Sequence, residues 1–199
     1  MKILVNREER QVETSAVNKL SDILAQVNAT LPQGHLVTNI NLNGKNLNKN
    51  WTETGDKTYI LEADSLAFEV SEAAVVAVEI LKETKEFLID LLVVFDGIAK
   101  DFRVKDDTEA NAKFVRGIDS LQDFLKALGD ATALLGKPLE TIIVDDVLFS
   151  QYINELVTIL DSVIRTQNQK DWVRLADVIE YEMMPALKKI GLLYAILDI

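Results

Sequence analysis

The feature that most constrains this chain is a change of hydrophobic period near Ser71. Before it, short apolar runs alternate with polar residues and are broken by turn residues. After it, apolar residues recur every three or four positions almost to Ile199. A period of two marks half-buried strands and a period near 3.6 marks helices, so the pattern predicts an α+β chain. It divides into a small mixed module over residues 1–64 and a helical bundle domain over residues 71–199, with an antiparallel arrangement of about four helices.

In the first part, Lys2 to Asn6 reads as a strand and Gln11 to Thr14 as its hairpin partner. Leu20, Ile23, Leu24, Val27 and Leu31 then keep helical spacing, with Ser15 placed to cap and Pro32 and Gly34 to stop the helix. Leu36 to Asn43 alternates as a strand, Asn43-Gly44 is a two-residue hairpin turn, and Thr58 to Ala63 is the last strand. Strand, hairpin return, helix, strand, hairpin return, strand resembles the β-grasp fold of ubiquitin and the sulfur carriers. The carboxy-terminal Gly-Gly through which those proteins act has no counterpart, because Glu62-Ala63-Asp64-Ser65 runs on into more chain. The resemblance therefore implies a docking scaffold and no carrier chemistry.

In the second part, Ser71-Glu72 is placed to cap a helix whose stripe is Val75, Val78, Leu81, Leu88, Leu91, Leu92, Phe95, Ile98 and Phe102, running to Arg103. Val76, Ile80, Phe87, Val93 and Val94 on its other side predict a helix that is central or covered on two sides. After the charged joint Lys105-Asp106-Asp107-Thr108, Phe114, Ile118, Leu121, Leu125 and Leu128 form a second stripe, with Gly129 as a point of kinking. Gly136-Lys137-Pro138 stops it and restarts a third helix, which carries Ile142, Ile143, Val147, Tyr152, Ile153, Leu156, Ile159, Leu160 and Val163. A fourth runs from Asp171 through Trp172, Leu175, Ile179 and Met183, and Pro185 should kink or split it. The apolar tail Ile190–Ile199 packs on its own bundle or on another copy.

Composition excludes more chemistry than it suggests. There is no cysteine and one histidine, His35, at a helix-to-strand joint. Thiolate metal sites and cysteine nucleophiles are out, and no G-x-S-x-G elbow or phosphate-cradling glycine loop occurs. The di-metal bundle pattern needs Glu-x-x-His, which is absent, although Asp90 and Asp96 lie in the most apolar helix, where one of them is placed to face inward. The expectation is a chain with no catalytic residue, no metal and no cofactor, the competing class being a carboxylate metal-binding bundle or enzyme. Residues 1–64 hold seven Lys/Arg against eight Asp/Glu, and residues 65–199 hold fourteen against twenty-four. A helical part this acidic repels phosphate backbones and anionic lipid, which argues against nucleic acid as a partner. The charges in the greasiest run, Phe87 to Ile98, argue against membrane insertion, and the charged Arg7-Glu8-Glu9-Arg10 cuts short any signal-peptide core. The lack of cysteine leans towards the cytoplasm.

The most distinctive stretch is Asp171 to Leu187. On a helix, Arg174, Asp177, Tyr181 and Met184 share one side and Leu175, Ile179 and Met183 another. The bland reading is a surface helix with an Arg174–Asp177 pairing. The functional one is a partner-binding face of Trp172, Arg174, Asp177 and Tyr181, types enriched at binding hot spots. Leu175-Ala176-Asp177, Glu180-Tyr181-Glu182 and Pro185 resemble the Leu-Ala-Asp-x-x-Glu-Tyr-Glu-x-x-Pro pattern of a family of uncharacterised bacterial proteins, which implies a bacterial origin. The leading expectation is thus a non-enzymatic interaction or adaptor protein that binds protein partners and forms a homodimer through its helices. A narrower version is an export chaperone or accessory factor, of flagellar type, for a helical partner.

Overall fold

The computed structural model describes residues 1–13, 17–47, 57–61, 64–104 and 107–199. Ser15, Thr14, Glu62-Ala63 and the Lys105-Asp106 joint, each given a role above, lie outside them. The chain forms two compact units, residues 1–76 and 77–199, each with its own apolar core.

The first unit is a mixed sheet with one helix. Its strands are β1 (Lys2–Val5), β2 (Glu8–Glu9), β3 (Val17–Lys19), β4 (His35–Leu42), β5 (Lys45–Asn46), β6 (Tyr59–Leu61) and β7 (Ser65–Glu72), with α1 (Leu20–Thr30) after β3. The five-stranded sheet runs β2-β1-β7-β4-β5, parallel between β1 and β7 and antiparallel elsewhere, while β3 and β6 pair separately. This order is compatible with a β-grasp-like module. Of the strand placed at Thr58–Ala63, the described residues form β6, outside the main sheet. The central strand is the alternating Leu66-Phe68-Val70 run, which carries the unit past residue 64 to Val76.

Two turns explain the hairpins. Asn43 and Gly44 both have positive φ, as the sequence suggests. Asn6 and Arg7 do so as well (φ 48° and 70°), which brings the return strand to Glu8–Glu9, ahead of Gln11. Arg7 carries a side chain in a region that favours glycine or asparagine. What holds it is Asn6, whose side-chain amide donates to the Val70 carbonyl (3.0 Å) and accepts from the Val70 N–H (2.8 Å), extending the parallel ladder by one rung. In β4 a bulge at Thr38 shifts the register, so that Val37 and Ile40, three apart, are the buried pair. Simple alternation from Leu36 fails there because an inserted residue swaps the faces beyond it.

Asp64 ties this sheet's turns together. It accepts from the Leu61 N–H (2.7 Å) and from the Asn43 side chain (2.8 Å), while Asn43 accepts from the Ser65 N–H (2.9 Å). The Asn43 bond, and then the Leu61 one, hold its carboxyl below the ordinary 3.8. The stabilisation is therefore present above about pH 4 and lost as pH falls through the depressed value. Chemical denaturation of wild type and Asp64→Asn between pH 6 and 3 should show the wild-type advantage in the sheet unit shrinking in that window; an advantage independent of pH would contradict it.

The second unit is built from α2 (Ala73–Val104, whose first turn belongs to the first unit), α3 (Asp107–Leu134), α4 (Phe149–Asn168), α5 (Trp172–Val178), a π turn (Ile179–Met183), α6 (Met184–Ile190) and α7 (Leu192–Ile196). β7 runs through Ser71-Glu72, so α2 begins after the expected cap. Cross-links fix an up-down-up-down arrangement: Asp101 to Lys113 between α2 and α3, Asn111 to Gln167 between α3 and α4, Glu155 to Lys189 between α4 and α6. The buried seam of α2 is Ala77, Leu81, Thr84, Leu88, Leu91, Phe95, Ile98 and Phe102, and that of α3 is Ala110, Phe114, Gly117, Leu121, Phe124, Leu128 and Ala131. Both step strictly by four and three, the seam of coiled-coil-like packing. Val75, placed in the stripe from sequence, is exposed, and small Ala77 and Thr84 take the seam instead.

α3 passes straight through Gly129 and ends in a Schellman motif at Gly136 (φ 69°), with Lys137 N–H to Thr132 O and Gly136 N–H to Ala133 O, both 2.9 Å. The third helix does not restart at Pro138. A short 3₁₀ turn (Leu139–Thr141) and a hairpin of β8 (Ile143–Val144) and β9 (Val147–Leu148) intervene, turning on Asp145 and Asp146 with positive φ, so Ile142, Ile143 and Val147 precede α4. Asp171 caps α5 by accepting from the Arg174 N–H (3.1 Å). Pro185 has no N–H for the carbonyl four residues back, and the chain before it widens into the π turn.

The apolar tail packs on its own helices: Ile190, Leu193 and Tyr194 are buried, and Leu197 and Ile199 lie against the same core. The Tyr194 hydroxyl is buried with no hydrogen-bond partner among the described residues. Burial lifts its pKa to about 12, opposed by the neighbouring Thr84. Stability should fall as pH rises from 10 towards 12, where the unfolded phenol ionises first. Tyr194→Phe should lessen that fall and, by removing an unpaired buried hydroxyl, leave stability at neutral pH unchanged or about 1 kcal/mol higher in urea denaturation. A loss of more than about 1 kcal/mol would show a bond there.

Candidate functional site

The four residues singled out from sequence do not form one face. Trp172 is half-buried and stacks on Phe102 of α2, ring centroids 5.6 Å apart and planes 9° from parallel. It closes the core beside Phe114, which meets Phe102 edge-on. Three and seven residues before Leu175 and Ile179, Trp172 lies on the same side of the helix as the core stripe, and at the first turn of α5 the apolar surface it meets is the end of α2. Arg174 and Tyr181 are exposed. Asp177 is half-exposed and bonded to Arg103 (2.7 Å) rather than to Arg174.

Arg103 is the organising residue that sequence reasoning missed. From the last turn of α2 its two terminal nitrogens reach Asp177 and Glu180, a fork between two carboxylates on the segment that follows. The Asp177 bond first, and then the Glu180 bond, raise its pKa further above its already basic range. The pairing spans more than seventy residues, so no local spacing signals it. Its effect is to fasten the π turn, so that Tyr181, 66 % exposed, is presented from a fixed backbone.

Tyr181 borders a shallow groove with Glu182, Pro185, Lys189, Glu155 and Thr158, in which Lys189 bonds both Glu155 oxygens (2.7 and 3.0 Å). Within the Leu175–Pro185 stretch the roles divide plainly. Leu175 and Ala176 are core, Asp177 and Glu180 hold Arg103, Pro185 sets the π turn, and Tyr181 and Glu182 face solvent.

The acids expected to matter inside the bundle are not inside. Asp90 is exposed, and Asp96 is half-exposed and bonded to Lys100 (2.6 Å), which raises the lysine pKa. Among the described residues no three His, Asp or Glu side chains gather as metal ligands. His35 starts β4 opposite Glu72, its ring Nδ1 3.4 Å from the Gln33 carbonyl. No helix among the described residues is long and apolar enough to cross a membrane.

α2 is not covered on two sides. Its four-three seam, joined by Ala99, is the side it buries, which leaves Phe87, Val93 and Val94 exposed along a groove against α3.

A mixed sheet followed by an antiparallel helical unit defines an α+β protein whose candidate site lies on the helical unit. The chain belongs to the family described as a domain of unknown function (DUF8042), whose model matches residues 79–192 and so spans the α2–α3 groove, the Arg103 clamp and Tyr181. No curated protein and no solved structure matches the chain.

Proposed function

We propose that this chain is a non-enzymatic adaptor of the bacterial cytoplasm that binds a protein partner at the α5–α6 face around Tyr181 and associates with a second copy through its helical unit. One observation carries the reading: an aromatic side chain held out into solvent on a π turn that Arg103 locks from another helix. π turns recur at functional sites, and a rigidly presented tyrosine offers a large contact area at small entropic cost. Glu182 beside it and the acidic balance of the helical part favour a partner with a basic surface.

Affinity capture with the full chain and with Arg174→Ala/Tyr181→Ala, in low and high salt, tests this. One prey should be retained by the wild type in low salt, weakened by salt, and lost from the double variant with the fold unchanged. Preys common to both chains would contradict it. Trp172→Ala is unsuitable for this purpose, because it would open the core against Phe102.

A further inference from the structure

We propose that the α2–α3 groove is an interface in which a second copy of this chain lays its own groove antiparallel to the first. This deepens the self-association above and rests on it. The groove, about 580 Å³ at its wider part, is floored by Leu91 and Ile98, and its rim exposes Phe87 (38 %), Val93 (68 %) and Val94 (45 %). It continues past Phe87 to Ile80 and Ala127. Large apolar side chains so exposed along one line mark a surface that is covered in use.

Two further observations select the occupant. The first is Gly97, in the interior of α2 and on the wall of the groove. A Cβ built there meets nothing within 4 Å, and its φ is not positive. Within one chain nothing requires a glycine, although it weakens the helix by about 1 kcal/mol relative to alanine. Gly117 on the opposite wall differs, because its Cβ would meet Phe95 and Ile98 at 3.1 Å. A bare Cα on an open helix face admits a second backbone at close range. The second observation is polarity of charge. Glu83, Asp90 and Asp123 lie towards one end of the groove and Arg116 towards the other, beside Lys113, which Asp101 and Glu109 hold. A two-fold axis crossing the groove places each acidic end on the basic end of the other copy, so the surface is self-complementary in the antiparallel sense only.

Sedimentation equilibrium on the full chain tests this. The wild type should be a dimer. Gly97→Leu, whose Cβ meets nothing within one chain and which improves helix propensity, should raise the dimer dissociation constant about thirtyfold or more without lowering the urea midpoint of the monomer. Asp90→Arg and Arg116→Asp should each weaken the dimer, and the two together should restore it. A wild-type monomer at high concentration overturns both this interface and the self-association beneath it. A dimer indifferent to Gly97→Leu and to the charge exchange overturns the interface alone, and the Tyr181 capture is read independently of either.

Discussion

Phe95→Ala should destabilise the helical unit by about 3–5 kcal/mol, the range for emptying a buried aromatic site. Phe95 is fully buried in the α2 seam, and its ring edge lies 3.1 Å from where Gly117 would carry a Cβ. The urea midpoint should fall with the slope unchanged. Gly117→Ala alone should also destabilise the unit, because its methyl would press on Phe95 and Ile98. In the Phe95→Ala background the same methyl should be neutral or favourable, giving a coupling of opposite sign to the single effect. Additive losses would mean that the two helices do not meet here as described.

Phe68→Ala should unfold the sheet unit and leave the helices standing. Phe68 is buried on the central strand, opposite Val5 of β1 and Ile40 of β4, so it packs against both neighbours. A unit of seventy-six residues without a disulfide or metal has only a few kcal/mol in reserve, comparable with the cost of the missing ring. Because the two cores share no residue, hydrogen exchange should lose protection across residues 2–72 and keep it across α3 and α4. Loss of protection in both units together would show them to be one cooperative structure.

How far the sequence reaches is clear from particular residues. Asn43-Gly44 announces its turn because glycine is cheap at positive φ, whereas Asn6-Arg7 and Asp145-Asp146 make similar turns without glycine and give no such signal. The seam of α2 is legible at Leu81, Leu88, Leu91, Phe95, Ile98 and Phe102. Ala77 and Thr84 complete it unseen, since small residues carry little hydrophobic weight yet mark where helices approach. The bulge at Thr38 inverts the face of a strand, and period alone cannot foresee it. The candidate site was half legible: Tyr181 and Asp177 stand out as types and positions, and Trp172 keeps the spacing of the core stripe, while Arg103 arrived from another helix, because which stripe neighbours which is decided only by tertiary packing.

The adaptor reading is tested most directly by a photo-crosslinking amino acid placed at position 181 in the living host, with the same group at Asp130 on α3 as the comparison. A partner-bound face predicts one dominant covalent adduct of defined mass from position 181, absent at 130 and diminished by Arg103→Met, which frees the π turn. Equal adducts at both positions, or none at 181 in cells that crosslink elsewhere, would contradict it.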